Sequence, residues 1–214
     1  MIRNFILDWS GTVADDLGAV ITATNRVLAH YGKPPFTREQ FREVFQLPYT
    51  EFYRHILPDV PLRDLQALYL EHFPQEDQQA VPLIEYALEF LQTARAAGCR
   101  LFVCSSAPEE HVRAQALANG VDGFFEHLHG GIIDKCVFVH DLLRQHSLLP
   151  QETAFVGDMR HDILAGHAAG LMSIATATGY ESVSTLLTAD PDLLVRNLSA
   201  LTRLMRSAND TATP

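Results

Sequence analysis

Two kinds of hydrophobic pattern follow one another along the chain, and the places where they switch set its organisation. The chain opens on an apolar run, Phe5-Ile6-Leu7, that stops at a carboxylate, Asp8, and is followed by the small-residue turn Ser10-Gly11-Thr12. An uninterrupted apolar run reads as a strand buried on both faces, and a carboxylate at its end lies on the sheet edge where open α/β folds bind ligands. A helical period follows over 16–31, where Leu17, Val20, Ile21, Thr24, Val27 and Leu28 recur at three- and four-residue steps until Gly32 and Pro34-Pro35 end it. Thr37 and Gln40 have the spacing of a capping box and open a short helix carrying Phe41, Val44 and Phe45. Two further short helical patterns, at about 49–57 and 62–73, are fenced by prolines, and no strand pattern falls between residues 15 and 80.

Beyond Pro82 helix and strand alternate. The patterns predict a helix over 83–97, a strand over 100–104, a helix over 108–119 and a weak strand over 124–128. A helix over 136–146, a strand over 153–156, a helix over 161–169 and a strand over 171–175 follow. A last amphipathic helix is expected at 197–206, with 207–214 frayed. Such alternation implies an α/β fold, a Rossmann-like parallel sheet with helices on both faces, plus a small all-helical cap inserted after the first strand. The expected division is 1–14 and 81–214 for the core and 15–80 for the cap. An insertion just past Asp8 stands over the carboxyl edge of the sheet as a lid.

The chain has 214 residues, 47% of them hydrophobic, and a net charge of -10. That length can bury a full core, and that charge argues against nucleic acid or an anionic membrane as the main partner. An anionic ligand would therefore need a local cation. No apolar run approaches the ~18 residues of a membrane helix. Cys99, Cys104 and Cys136 lack paired metal spacing and are expected as reduced thiols, and with no basic and apolar leader at residue 1 a cytoplasmic protein is expected.

Four pieces of chemistry fall at strand ends or helix starts. The first is Asp8 with its turn. The second is Ser105, directly after Leu101-Phe102-Val103-Cys104 and just before a helix opening at Pro108, where a hydroxyl and free amides suit a phosphate oxygen. The third is Lys135, one of two lysines in the chain, at the entry to a helix. The fourth is Phe155-Val156-Gly157-Asp158-Met159-Arg160-His161-Asp162, a strand ending in two carboxylates four residues apart. Oxygen ligands grouped with a further strand-end carboxylate are what Mg²⁺ prefers.

In their order and spacing these motifs resemble the haloacid dehalogenase superfamily, in the subgroup with a helical cap after the first strand, and the resemblance runs from Ile2 to about Ala177. It implies a phosphohydrolase similar in architecture to phosphoglycolate phosphatases and β-phosphoglucomutases, acting on a small phosphorylated metabolite. Asp8 would attack phosphorus, Ser105, Ser106 and Lys135 would hold the phosphoryl oxygens, and Asp8, Asp158, Asp162 and the Ser10 carbonyl would bind Mg²⁺, Asp162 through water or from behind. The physics agrees: a carboxylate facing a phosphate dianion is repelled unless cations intervene.

Ser10 departs from the pattern. Most phosphatases of the family have aspartate there, to protonate the leaving group and then activate water, help worth roughly 10² to 10⁴ in rate. The family's dehalogenases have tyrosine. Phosphonoacetaldehyde hydrolases read Asp-Trp-Ala-Gly-Thr against Asp8-Trp9-Ser10-Gly11-Thr12, but their cap lysine has no counterpart near Gln46-Leu47-Pro48-Tyr49, and Lys33 lies earlier, in a proline-flanked turn. Transporting ATPases have threonine and a slowly hydrolysed aspartyl phosphate. The residues leave open a carbon-phosphorus hydrolase, a weakly catalytic phosphate-binding or regulatory protein, and a phosphatase that borrows its acid from cap or substrate. Tyr49, Tyr53, Arg54 and His55 fall on the cap stretch expected to face the site. Thr12 reads as turn structure, Cys104 as a buried hydrophobe, and the pairs His127 with His129 and His161 with His167 as surface or packing residues.

Overall fold

The computed structural model describes residues 2–73 and 81–210. Six parallel strands form one sheet in the order β3-β2-β1-β4-β5-β6, with β1 Asn4–Leu7, β2 Arg100–Cys104, β3 His127–His129, β4 Thr153–Gly157, β5 Met172–Thr176 and β6 Leu193–Val195. β1 is central, with Leu7 in register with Val103 on one side and Val156 on the other. Strands are added outward from it in both directions, so ligand-binding loops meet at its carboxyl end.

The apolar run of β1 is buried on both faces, as read from the sequence. Phe5, Leu7 and Trp9 pack on one side with Phe90, Leu91, Val112, Ala116, Leu198 and Leu201, from helices α5 (Ala87–Ala96), α6 (Glu109–Ala118) and α10 (Leu198–Asp210). Ile6 packs on the other with Phe102, Phe155, Val139, Leu142 and Ala165, where α7 (Lys135–His146) and α8 (Arg160–Ala168) lie.

Between β1 and α5 the described residues contain helices α1 (Leu17–His30), α2 (Arg38–Val44), α3 (Tyr49–Ile56) and α4 (Leu62–His72) and no strand. The Thr37–Gln40 capping box opens α2 as expected. These helices enclose their own apolar cluster, in which Phe41, Phe52, Leu65, Val27 and Leu28 are buried. Core residues Met159 and Tyr180 join the same cluster, and the Tyr180 ring lies 5.3 Å from that of Phe45, so the cap is seated on the core through aromatic contact. The expected boundary at residue 80 lies outside the described residues.

Four local expectations shift. The helix expected at 83–97 begins only at Ala87, because Tyr86 sits at a left-handed φ of 69° that no helix continues through. The weak strand moves to His127–His129, after a short 3₁₀ turn at Asp122–Phe124. The last helix runs to Asp210 rather than fraying from 207, and 211–214 lie outside the described residues. The sixth strand and the short helix α9 (Val183–Leu187) were not anticipated: Leu193–Val195 is three residues long, too short for an alternation to register.

Candidate active site

The turn after β1 is tightly wound, and Asp8 and Ser10 at its start both face one cavity. The Trp9 carbonyl accepts the amides of Thr12, Val13 and Ala14, at 3.3, 2.8 and 2.9 Å. Gly11 makes this possible at φ 77°, and a Cβ there would meet the Asp158 carboxylate and the Gly179 backbone. Trp9 itself points into the core and donates from Nε1 to Gln115 Oε1 at 2.6 Å.

Three of the expected motifs converge on Asp8. Lys135, the first residue of α7, is completely buried, and its Nζ donates to Asp8 Oδ1 at 2.6 Å and to Asp162 Oδ1 at 2.7 Å. The residue before it, Asp134, caps the helix by accepting Val137 N at 3.2 Å, which fixes where Lys135 leaves the backbone. Burial lowers the pKa of the ammonium, but the charges of Asp162 and Asp8 outweigh it and hold that pKa above the usual value. Asp162 also accepts Met159 N at 3.1 Å, so it serves the start of α8 as well as the lysine.

Asp158 completes the cluster. Its Oδ1 accepts Thr12 Oγ1 at 3.0 Å and its Oδ2 accepts Tyr180 N at 2.6 Å, which gives Thr12 a partner in the site as well as a place in the turn. Asp8, Asp158 and Asp162 each offer an oxygen, and these lie within 4.8 Å of one another. Three buried carboxylates face one ammonium, an imbalance expressed at Asp158, whose pKa is raised well above the usual value by burial and by Asp8 and Asp162. Asp8 is raised by burial and drawn back by Lys135. An all-oxygen donor set with excess negative charge fits a hard divalent cation. Gly157 and Gly179 let two of these carboxylates sit against the backbone, since a Cβ on Gly157 would run into Asp162 and one on Gly179 into Asp158.

Above Asp8 lies a cavity of about 420 Å³ between core and cap. Asp8, Ser10, Ser105 and Ser106 are on its wall, whereas Lys135, Asp158 and Asp162 are not. Ser105 Oγ accepts Ala107 N at 3.2 Å, ahead of α6, and Ser106 Oγ donates to the Ile132 carbonyl at 2.8 Å. Of the cap residues singled out in the sequence, Tyr49 and Tyr53 face the cavity and Arg54 and His55 are exposed elsewhere. Lys33 is exposed and off the wall, so no lysine of the described cap reaches the site as a Schiff-base mechanism requires.

Sequence reading missed two contributors. Asp16, placed there only at the start of a helix, is buried and on the cavity wall. Ser10 Oγ donates to its Oδ2 at 2.5 Å and Tyr180 OH donates to its Oδ1 at 3.0 Å. Burial pushes its pKa up to about 7, with Asp8 adding to the rise against those two hydrogen bonds. The second is the loop after β5: Thr178 Oγ1 donates to the Gly11 carbonyl at 2.6 Å, Tyr180 holds Asp158 and Asp16, and the Gly179 carbonyl accepts Arg42 Nη2 from the cap. The available signals were a carboxylate six residues after Ser10 and a Gly-Tyr pair just past a strand end.

Cys104, His127 and His129 behave as surface or packing groups, whereas His161 gains a carboxylate and a thiol as neighbours, which the sequence spacing did not show. Cys104 is buried and its thiol pushed up to about 12 by burial. His127 and His129 stack at 4.4 Å, with His146 beside them. His161 lies with Asp134 and Cys136 rather than with His167, which bonds Ser173 at 2.9 Å.

Known proteins share this architecture. The chain is 24% identical over 213 residues to a phosphoglycolate phosphatase of Synechococcus elongatus, covering 96% of this chain and all of that one. A haloacid dehalogenase-like family hydrolase from Streptococcus pneumoniae has the same fold, with a TM-score of 0.84 at 18% identity over 95% of this chain and 98% of its own. CbbY from Rhodobacter sphaeroides, solved in complex with phosphate, superposes with a TM-score of 0.80 at 21% identity over 94% and 96%. The family model for haloacid dehalogenase-like hydrolases matches residues 5–176, and with that match over most of its length the chain belongs to the haloacid dehalogenase-like hydrolases.

Proposed function

We propose that this chain is a Mg²⁺-dependent phosphatase of a small phosphorylated metabolite that works through an aspartyl phosphate on Asp8. The observation that carries the reading is the single ammonium of Lys135 shared by Asp8 and Asp162 beside Asp158, with Asp8 alone of the three carboxylates on the cavity wall. The similarity to phosphoglycolate phosphatases supports the reaction class.

Asp8, Asp158, Asp162 and the Ser10 carbonyl are the residues that would hold Mg²⁺, and the ion when bound offsets the repulsion between the Asp8 carboxylate and a phosphate dianion. Lys135 holds the Asp8 carboxylate in its ionised form and orients it, and Ser105 and Ser106, on the same cavity wall as Asp8, would receive the phosphoryl oxygens. An Asp8 oxygen bonds to phosphorus as the ester bond breaks, and the alcohol leaves with a proton. Water then attacks the aspartyl phosphate and frees phosphate and Asp8.

The proton is handled by a pair in place of a single aspartate. Ser10 Oγ stands on the cavity wall and is fixed by Asp16, itself braced by Tyr180. Ser10 passes a proton between the reacting oxygen and the Asp16 carboxylate, so the carboxylate that most relatives of this kind place at position 10 is supplied from position 16. The test is phosphate release from an ester panel with Mg²⁺ and with EDTA. Turnover that EDTA abolishes and Mg²⁺ restores is expected, and turnover that persists in EDTA after dialysis would refute the metal-dependent reading.

A further inference from the structure

The cavity wall opposite Asp8 is aromatic and carries no cation, and this says what the leaving group is. Phe45, Leu47, Phe52, Tyr53, Tyr69 and Phe73 face the cavity from the cap side. Several polar groups of this wall are already paired: Gln66 Nε2 donates to Tyr49 OH at 2.5 Å across α3 and α4, and Tyr53 bonds Thr24. Among the described residues no lysine or arginine lines the cavity, and residues 74–80 contain none in the sequence. Arg42 directs its guanidinium at the Gly179 carbonyl and is off the wall. His111 is the one imidazole on the wall, and burial lowers its pKa, so it is neutral at pH 7. Among the described residues the charged groups on the wall are the carboxyl groups of Asp8 and Asp16.

A leaving group with a carboxylate, such as glycolate, would enter this space beside Asp16 with no cation on the described wall, and drawing a charge out of water without a partner is disfavoured. The cavity, at about 420 Å³, also falls in the range of sites that enclose drug-sized ligands and exceeds what a two-carbon acid fills. We infer that the substrate is the phosphate monoester of an uncharged aromatic or aliphatic alcohol, and that this enzyme discriminates against phosphoglycolate. The inference rests on the phosphatase reading. The ester and water go to the alcohol and inorganic phosphate, the P–O bond to the alcohol breaking as the bond to Asp8 forms, and the alcohol taking its proton through Ser10.

The test measures kcat/KM with Mg²⁺ for phenyl phosphate, hexyl phosphate and phosphoglycolate, alongside calorimetric binding of phenylphosphonate and phosphonoacetate. The expected result is a preference of about 10²-fold or more for the two apolar esters, a size that differences in pocket contact supply. Equal or better turnover of phosphoglycolate overturns the inference. If no ester turns over, the phosphatase reading fails by itself, and binding decides the pocket: tighter phenylphosphonate upholds the apolar preference and tighter phosphonoacetate overturns it. Leu70 is on the wall yet 41% exposed, so Leu70→Arg adds a cation without opening the core. It should shift the preference about tenfold toward phosphoglycolate, and an unchanged preference would mean that this wall does not meet the leaving group.

Discussion

The floor and the roof of the cavity are built on opposite chemistry. The floor, contributed by the core, presents Asp8, and beneath it Lys135, Asp158 and Asp162 pack with almost no exposure, every one of the four tied to a neighbour at 2.6–3.1 Å. The roof, contributed by the cap, is a set of aromatic rings 4.8–6.4 Å apart, with Phe41 stacked on Phe45 and edge-on to Phe52. The floor is specified by direction and charge, so a shift of a few tenths of an ångström alters its chemistry. The roof is specified by shape and apolar area, which tolerate substitution of similar volume. On the function proposed above, the difference divides the labour: reaction type would lie below, and choice of leaving group above. Tyr180 belongs to both, donating to Asp16 and packing on Phe45.

The division breaks most visibly if the proton pair is disturbed. Asp16→Asn should lower kcat by about 10² to 10⁴ with little change in KM, since it keeps an acceptor for Ser10 but removes the carboxylate that takes the proton, and no apolar contact. Ser10→Asp places a second carboxylate against Asp16 and should lower turnover as well, whereas the exchanged pair Ser10→Asp with Asp16→Ser should recover it. Steady-state kinetics of the three variants decides this. Higher turnover in Ser10→Asp alone would show that serine merely lacks the acid and that Asp16 takes no part.

The roof is tested by stability. Phe41 is fully buried among Phe36, Phe45, Phe52 and Tyr180, and Phe41→Ala should cost about 3–5 kcal/mol by denaturant unfolding. The loss should concentrate in the cap, with hydrogen exchange rising in α1–α4 while β1, β2 and β4 stay protected. Equal loosening of the sheet would show that cap and core unfold as one unit.

A smaller effect comes from the far edge of the sheet. Burial, together with His127 and His146, pushes His129 down to about 4, below the ordinary histidine value of 6.5. The unfolded chain therefore binds this proton first as pH falls, so its contribution to stability is intact above about 6.5 and is lost as pH drops toward 4. Unfolding midpoints across that window should fall less steeply in His129→Gln than in the parent, and parallel curves would contradict it.

How much of this was legible in the sequence follows the same division. Asp8, Ser105, Lys135 and Asp158 stand at strand ends or helix starts, so a one-dimensional pattern locates them and the parallel topology then gathers them. The cap helices were legible as helices, because proline fences and the Thr37–Gln40 box mark their ends. Their inward faces were not: Phe45, Tyr69 and Phe73 share a cavity only through how α2 and α4 pack, which spacing along either helix does not fix. Asp16 was read as the beginning of α1, since nothing in sequence tells a helix-start carboxylate from one turned back onto the preceding loop. The loop at 177–181 has no charge pattern until Glu181, and its Gly179 matters only because Asp158 comes close to it.

The central claim, that the floor carries the reaction through Asp8, is tested most directly by trapping the intermediate. Enzyme mixed with Mg²⁺ and excess phenyl phosphate, quenched in acid and mapped by mass spectrometry, should carry one added phosphoryl group on Asp8, accumulating further in Asp16→Asn and absent from Asp8→Asn. A phosphoryl group on any other residue, or phosphate release undiminished in Asp8→Asn, would contradict the account.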